Sequence, residues 1–515
     1  MAVAAAHVHQ EEIKPKRTNL MNFRILLSMA VIVTATGELH AQYSGDALRF
    51  SQSQYGSTAR FKAIGAQTGV GGDLSSVGSN PAGIGLFTRS EFSLTPEFNN
   101  YSADAQYLGV RTLGKKDQIS LAHAAAVWNS TVTKAKGAKL DEGWISFNFG
   151  LGYNRTNAYG NNINYSASNG KNSVADYYSE LATDNYGAPN TLPAGSLEKM
   201  AYDNYLIGYD PAGYYFPETD VNNLQTQNTI RSGSQSEINF TFGGNYGNKF
   251  YVGASVGLAS INYNSNGEYG EDGFNVTENS DYILSYRQSQ ITKGSGINGK
   301  IGAIFRPSPN VRLGATVQTP TWYTIDDSFG ESLETRYAKS VGGATQYLND
   351  EEIYNFNYKL RTPMKLSGGI GYFFGNQGFI SADVDYVDYS TINFSTADNE
   401  NNSVIADNNR DILDNYQSAV NYRVGAEYKV QNLMLRAGYG IQGSPYKNQT
   451  SVDLKTNTYS GGLGYRINNY YFDLTYQNVS NNVDQRPYTL NDGTGPVAAL
   501  KNTRNNVFLT VGTRF

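Results

Sequence analysis

Short segments of alternating apolar and polar residues fill the sequence from about residue 90 to its end. In the last of them, Leu509 and Val511 lie on one face and Thr510 on the other. A period of two places every second side chain on the same face, and alternating segments of about ten residues separated by turns are typical of membrane barrels. The sequence therefore predicts an all-β fold, a transmembrane antiparallel β-barrel. The predicted strands are 90–99, 117–129, 143–155, 235–247, 249–263, 294–307, 310–322, 363–374, 378–390, 416–430, 432–443, 456–467, 470–480 and 504–515.

The connections between these strands alternate in length. Bacterial outer-membrane barrels combine an even strand number with short periplasmic turns and longer extracellular loops. Fourteen strands satisfy both conditions, and sixteen is the alternative, because 104–112 and 282–293 also alternate and are assigned to loops or strand extensions. Tight turns are predicted near Asn248, Ser308, Asn376, Gln431 and Asn468, and long extracellular loops at 156–234, 264–293 and 323–362.

The N-terminal region has the pattern of an export signal. From Met21, a basic start is followed by the apolar run Ile25–Thr36 and a cleavage position after Ala41. Residues 1–41 are therefore predicted to be an upstream extension plus a removed signal peptide. No other apolar run reaches the 18 residues or so that a membrane-spanning helix needs. An exported chain of this kind spans a membrane only as a closed barrel, here predicted for 90–515 in the outer membrane of a Gram-negative-type bacterium.

The stretch from Gly56 to Phe98 is rich in glycine and small residues and contains Asn80-Pro81-Ala82. Such a segment buries little apolar surface of its own, yet it is too apolar to be a free linker. Charges on the face opposite the apolar one must point into the lumen, because a lipid-facing Lys or Arg costs roughly 2–4 kcal/mol at the midplane. Both signs occur there, which suits a lumen filled by a polar partner. Residues 42–89 are therefore predicted to form a plug.

The order of these features resembles the hatch of the outer-membrane long-chain fatty acid transporter family (FadL/TodX-like). A Gly/Ala-rich run is followed by Asp73, by Asn80-Pro81-Ala82-Gly83 and then by the first strand. The segments 307–325, 362–374, 380–391, 422–446 and 471–482 also resemble barrel strands of that family.

The resemblance implies passive uptake of hydrophobic compounds, above all long-chain fatty acids. Loops capture the substrate, an apolar barrel pocket receives it, and hatch movement with a kink in the third strand opens a lateral exit. Gly150 and Gly152 in strand three allow such a kink or make room for the hatch. Arg436 could meet a carboxylate or anchor the hatch. The implied hatch and gating residues are Asp73, Asn80, Pro81, Ala82, Gly150 and Gly152; the implied substrate-binding residues are Tyr178, Leu181, Leu197, Met200, Leu206, Phe216 and Arg436.

Other function classes fit less well. Outside the presequence, His123 is the only histidine, flanked by alanines, and the chain has no cysteine, so the sequence predicts no enzyme, metal site or cofactor. A net charge of −5 without a basic block gives no reason to expect nucleic acid. The alternative is a general porin or another solute receptor, including one for haem or aromatic hydrocarbons. Expected partners are hydrophobic small molecules, outer-membrane lipids and the barrel-assembly machinery, which would bind the C-terminal strand ending in Phe515.

Overall fold

The structure is a computed structural model that describes residues 40–54, 56–137, 139, 141–396, 402–447 and 453–515. The predicted signal peptide up to residue 39 lies outside this range. Among the described residues, no helix is long and apolar enough to cross a membrane.

The described residues form twenty-one strands, and nineteen of these make one antiparallel sheet. The first strand pairs with the second and with the last, so the sheet closes into a barrel. The strands are β1 Glu91–Tyr107, β2 Val110–Thr131, β3 Trp144–Ala158, β4 Asn161–Asn169, β5 Ile207–Asp210, β6 Tyr214–Pro217, β7 Asn223–Tyr246, β8 Phe250–Asn275, β9 Ser280–Ser308, β10 Val311–Gln318, β11 Trp322–Val341, β12 Ala344–Leu348, β13 Glu352–Arg361, β14 Lys365–Phe373, β15 Gly378–Asp388, β16 Asn393–Ser395, β17 Ser418–Val430, β18 Leu433–Gln442, β19 Thr456–Ile467, β20 Tyr470–Gln485 and β21 Ala498–Arg514.

The barrel has fourteen strands, as predicted. β4 continues β3 along β7, and β11 and β13 continue β10 and β14 beyond Pro320 and Pro363. Proline has no N–H to donate to a ladder, so each of these two strands is interrupted where its proline lies. The remaining short strands β5, β6, β12 and β16 lie outside the closed circuit.

All five tight turns lie where the sequence predicts them. Asn248, Gln431 and Asn468 have positive φ there, a conformation that asparagine tolerates better than most residues. These turns mark one end of the barrel, called here the turn end, and the long connections mark the loop end. The segments 104–112 and 282–293 are strand extensions, one of the two assignments made for them.

The strands extend far beyond the apolar belt on the loop side. On β8, Val252, Val256 and Leu258 are exposed, whereas the outward residues after Ser260 are polar. Beyond the belt the outward side chains are mostly polar, whereas inward ones such as Ile261, Tyr263 and Tyr269 are apolar, so the alternation that reveals a lipid-facing strand no longer appears. For this reason the segments 264–293 and 323–362 are predicted as loops, although they are mostly strand, in β8, β9, β11, β12 and β13.

In the described part of the chain, five helices accompany the barrel: α1 His40–Ser51, α2 Ala59–Ile64, α3 Val174–Asn185, α4 Leu197–Asp203 and α5 Asn402–Asn415. Ser173 begins α3 with a capping box, its hydroxyl accepting from the helix while Asp176 accepts from the Ser173 amide. Two 3-10 turns, Leu74–Val77 and Pro81–Leu86, follow α2. α1 contacts α5 near the loop end.

Candidate functional site

Residues 57–89, called here the inner segment, lie within the barrel. α2 contacts β17 to β21, and the two 3-10 turns contact β1, β2, β3, β7, β8 and β9. The loop between α2 and the first turn completes the circuit: the Thr68 carbonyl approaches Gly314 of β10, and Gly69 approaches Gly369 of β14. Asp383 of β15 hydrogen-bonds the same loop. The inner segment therefore touches every one of the fourteen barrel strands.

Asp383 receives the loop of the inner segment. Its Oδ2 accepts from the backbone amides of Gln67 and Thr68, at 2.8 and 2.9 Å, and from the Thr68 hydroxyl at 2.8 Å. Ser381, on the same strand as Asp383, donates to the Ala66 carbonyl of the loop. The wall thus supplies the partners that these two amides require, while the Gln67 carbonyl is bonded within the loop by the Val70 and Gly71 amides.

A chain of four charges joins α2 to the barrel wall. Arg60 of α2 donates to both carboxylate oxygens of Glu427, at 2.8 and 3.1 Å. Arg436 bridges the same Glu427, at 2.7 Å, and Asp473, at 2.6 Å. The Arg436 side chain is fully buried. Arg436, which is predicted either to bind substrate or to anchor the hatch, is thus a member of this ion-pair chain.

Asp73 and Asn80 each cap one of the 3-10 turns. Asp73 accepts from the Ser75 amide and from the Thr58 hydroxyl, and thereby ties the turn to α2. Asn80 accepts from the Ala82 amide and donates to the Thr68 carbonyl at 2.8 Å. Around Pro81 the chain lies directly on the wall, where a Cβ at Gly253 would come within 2.4 Å of the Pro81 carbonyl.

Gly150 and Gly152 lie where the inner segment touches β3. A Cβ on either glycine would approach Val77 to 3.0–3.1 Å. β3 remains paired with β2 and β7 at both positions. The glycines thus leave space for the inner segment, and the two register shifts of β3 against β7 lie on either side of them, between Trp144 and Ser146 and between Arg155 and Asn157.

The wall has a seam next to the second of these shifts. Pairing of β2 with β3 ends at His123 and Asn154. Beyond this point, within the described residues, no backbone hydrogen bond joins β2 to β3 or β4, and side chains bridge the gap. Lys116 donates to the Arg231 carbonyl at 2.6 Å, and Arg155 contacts Ser120. This stretch, 118–122 facing 155–161, is called here the seam.

His123 is fully buried between the inner segment and the wall. Its Nδ1 lies 3.1 Å from the Ser57 hydroxyl and 2.8 Å from the Asn154 side-chain oxygen. Neither His123 nor Ser57 lines a described cavity. A serine and a histidine in contact are thus packed away from any described space for a substrate.

The remaining predicted substrate residues lie in the connection between β4 and β7. Tyr178, Leu197, Met200 and Leu206 belong to one buried apolar cluster that packs α3 and α4 against β8, β9 and β11, and Leu181 packs on its margin. The first four are almost completely buried. Phe216 of β6 is half-buried and lies over Gly208 of β5. The structure brings these side chains together as the core of a cap at the loop end.

Two cavities lie in the lumen between the cap and the inner segment. The larger, called here the outer chamber, has a volume of about 280 Å³, and the second has about 140 Å³. Residues 52–54, which connect α1 to the inner segment, border both. The Gln54 amide donates to the Thr156 carbonyl at 2.7 Å, so this connection is tied to the irregular part of β3.

The outer chamber is lined by polar and cationic side chains. Its aromatic walls are Tyr101, Tyr159, Tyr263 and Tyr439, and the Arg49 guanidinium lies 4.5 Å from the Tyr263 ring centroid. No Asp or Glu occurs among the described residues that line it. The cations are Arg49, Lys62, Arg231, Arg423 and Arg504.

Two structural features were not predicted from the sequence. α1 packs Leu48 and Phe50 into an apolar cluster with α5 and with β8, β11 and β13. Glu271 of β8 is fully buried and accepts hydrogen bonds from the start of α3, from β7 and from tyrosines of β8 and β9. A single acid within a long polar strand carries no local signal of such a role.

No protein-family model matches the chain, and no curated protein matches it. Among solved structures, a deltaS2 mutant of the TodX monoaromatic hydrocarbon channel aligns with a TM-score of 0.50 at 14% identity, covering 90% of this chain and 99% of that chain. The toluene transporter TodX of Pseudomonas putida gives 0.49 at 13%, with 90% and 100% covered, and a FadL homologue of Pseudomonas aeruginosa gives 0.49 at 11%, with 90% and 99% covered. At this identity the likeness to the first is one of fold: an outer-membrane-type β-barrel.

Proposed function

We propose that this protein is an outer-membrane transporter for the passive uptake of hydrophobic compounds, with long-chain fatty acids as the leading class. The observation that carries the proposal is the inner segment, which contacts all fourteen strands and fills the lumen at the turn end. A general diffusion porin keeps a water-filled channel instead. The barrel fold shared with the TodX monoaromatic hydrocarbon channel is consistent with a hydrophobic cargo.

In this proposal residues 42–89 act as a hatch. The Asp383 contacts and the Arg60–Glu427 pair hold the segment to the wall, while Asp73 and Asn80 shape its two turns. Such polar contacts can be exchanged for water when the segment moves, because they bury little apolar surface.

The cargo would enter through the cap and leave sideways through the seam. The buried cluster of the cap supplies apolar side chains at the loop end. The outer chamber reaches Asn157 and Asn161 at the seam. Opening the wall there breaks side-chain bridges rather than a backbone ladder, so it costs less than parting paired strands.

The test is uptake of a labelled long-chain fatty acid by cells with and without the protein. Uptake should depend on the protein and should fall roughly fivefold in Asn80→Ala, which loses contacts worth about 1 kcal/mol within the inner segment. Asn355→Ala, on the exposed face of β13, is the matched control and should leave uptake unchanged. If fatty-acid uptake is the same without the protein, while reconstituted protein passes sugars and ions freely, the porin alternative replaces this proposal.

A further inference from the structure

The outer chamber contains more positive charge than its surroundings neutralise. Two of its five cations have carboxylate partners: Arg49 pairs with Asp46, and Arg423 pairs with Asp385 and Asp383. The other three, Lys62, Arg231 and Arg504, form no ion pair with any residue that the structure describes. The Lys62 side chain is buried, and Nε and Nη2 of Arg231 are buried without a hydrogen-bond partner among the described residues.

The acid nearest to these cations is shared. Glu97 is ion-paired with Arg155, both side chains are buried, and the same carboxylate also attracts Lys62 and Arg504. Lys62 and Arg504 lie over aromatic rings, at 5.1 Å from the Phe508 centroid and 5.8 Å from the Tyr101 centroid. A ring face attracts a cation but adds no negative charge.

Three cations around one cavity whose described lining contains no carboxylate lower the stability of the folded protein. A desolvated charge without a partner costs several kcal/mol, and like charges that share a site add their repulsion. An anion in the chamber removes both costs. A single carboxylate carries one negative charge, whereas a phosphate monoester carries about 1.5 to 2 negative charges near neutral pH and three acceptor oxygens.

The polar lining fits the oxygens of such a group. Guanidinium groups match phosphate oxygens with paired N–H donors, which favours Arg231 and Arg504 for this task. Amides and hydroxyls around them can bond any remaining oxygens. They include Gln52, Asn157, Asn161, Thr458, Gln477 and Asn502.

We propose that the outer chamber binds a phosphate monoester dianion through Lys62, Arg231 and Arg504. The dianion comes either from the head group of a lipid or from free phosphate. The lipid source rests on the function proposed above, since it makes the cargo a hydrophobic chain with a phosphate head; the anion site itself does not depend on it.

The experiment measures binding to the purified barrel in a non-ionic detergent by titration calorimetry. Four probes separate the chemistry: lysophosphatidate, the fatty acid and the monoacylglycerol of the same chain length, and inorganic phosphate. Lysophosphatidate should bind at least roughly tenfold more tightly than the fatty acid, as expected for one additional charge-assisted contact. The double variant Arg231→Gln/Arg504→Gln should lose at least this factor for lysophosphatidate and leave monoacylglycerol binding unchanged.

Two further variants separate charge from folding. Arg231→Lys keeps the charge and should retain most of the binding. Lys249→Gln, an exposed lysine in the turn after β7, should bind like the parent protein. Gel mobility of heated and unheated samples shows whether each variant forms the barrel.

The outcomes distinguish this inference from the proposed function. If the fatty acid binds the parent protein as tightly as lysophosphatidate does, or the double variant binds lysophosphatidate as tightly as the parent protein, the dianion site is refuted while hydrophobic uptake stands. If inorganic phosphate binds as tightly as lysophosphatidate and no uncharged lipid binds, the site is supported, its ligand is free phosphate, and hydrophobic uptake loses its support.

Discussion

Two levels of the same lumen treat buried charge in opposite ways. At the turn end, every charge of the chain Arg60–Glu427–Arg436–Asp473 has a partner within 3.1 Å. One level higher, Lys62, Arg231 and Arg504 surround a cavity without a carboxylate. A paired buried charge fixes one arrangement of the chain, whereas an unpaired one leaves a partner to be supplied from outside. The difference separates the part of the lumen that holds the inner segment from the part available to a ligand.

The largest effect is expected from breaking the paired level. Arg436→Met leaves Asp473 buried and unpaired, which should lower the free energy of unfolding by about 3–5 kcal/mol. Equilibrium urea unfolding in lipid vesicles measures this change. The control is Arg336→Met, whose guanidinium pairs with Glu334 at an exposed position and should cost less than about 1 kcal/mol. Equal losses in the two variants would remove the distinction between paired charges in the lumen and those at the surface.

The cap repeats the contrast with two buried acids. Glu271 accepts several hydrogen bonds, whereas neither carboxylate oxygen of Glu198 at the start of α4 meets hydrogen-bond geometry with a described donor. Burial raises the pKa of Glu198 to about 7. The nearby Glu198 amide and Ser196 hydroxyl act against this rise, and the charge of Glu331 adds to it. The folded cap therefore holds this proton more tightly than the unfolded chain does, and α4 should be most stable below the ordinary glutamate pKa.

The free energy that stabilises the docked α4 should fall by up to about 3 kcal/mol as the pH rises from about 4.5 to 7. Above pH 7 it should change no further. Trypsin cleavage after Lys199, normalised at each pH to a denatured substrate, should increase across this range. Glu198→Gln should abolish the increase, and Glu180→Gln, on α3, is the control. A cleavage profile in the parent protein that does not change with pH would show that Glu198 remains protonated or finds a partner.

A smaller effect is expected where the inner segment meets Asp383. In Asp383→Asn the carboxylate, whose Oδ2 accepts three hydrogen bonds, becomes a neutral amide. This change should destabilise the bound loop by about 1–3 kcal/mol without unfolding the barrel. Hydrogen exchange of the Gln67 and Thr68 amides measures it. Asp326→Asn, on the exposed face of β11, should leave their exchange rates unchanged. Unchanged exchange in Asp383→Asn would mean that the loop is held by its packing alone.

The smallest effect on stability is expected in the outer chamber. Arg231→Gln removes a charge that has no partner, so the free energy of unfolding should change by less than about 1 kcal/mol or should increase. The same urea measurement applies. A loss comparable to that of Arg436→Met would show that Arg231 stabilises the fold, and the contrast between the two levels would fail.

The sequence by itself determined the barrel and its strand number. Alternation and tight turns are local patterns: Leu509, Thr510 and Val511 reveal a strand, and Asn248 or Gln431 a turn, without knowledge of any partner. Where a strand leaves the apolar belt, as β8 does after Leu258, its outward side chains become polar and the local pattern no longer distinguishes it from a loop.

Only the tertiary structure decided how the lumen is used. Arg60 and Glu427 are 367 residues apart in the chain, and nothing near either one indicates that they pair. Arg436 lies in a predicted strand and Arg231 in the predicted loop 156–234, and neither position indicates that the first is neutralised by two acids while the second borders a cavity without any. Their roles depend on which strands lie opposite each other in the closed barrel and on where residues 57–89 lie inside it, which are non-local properties of the folded chain.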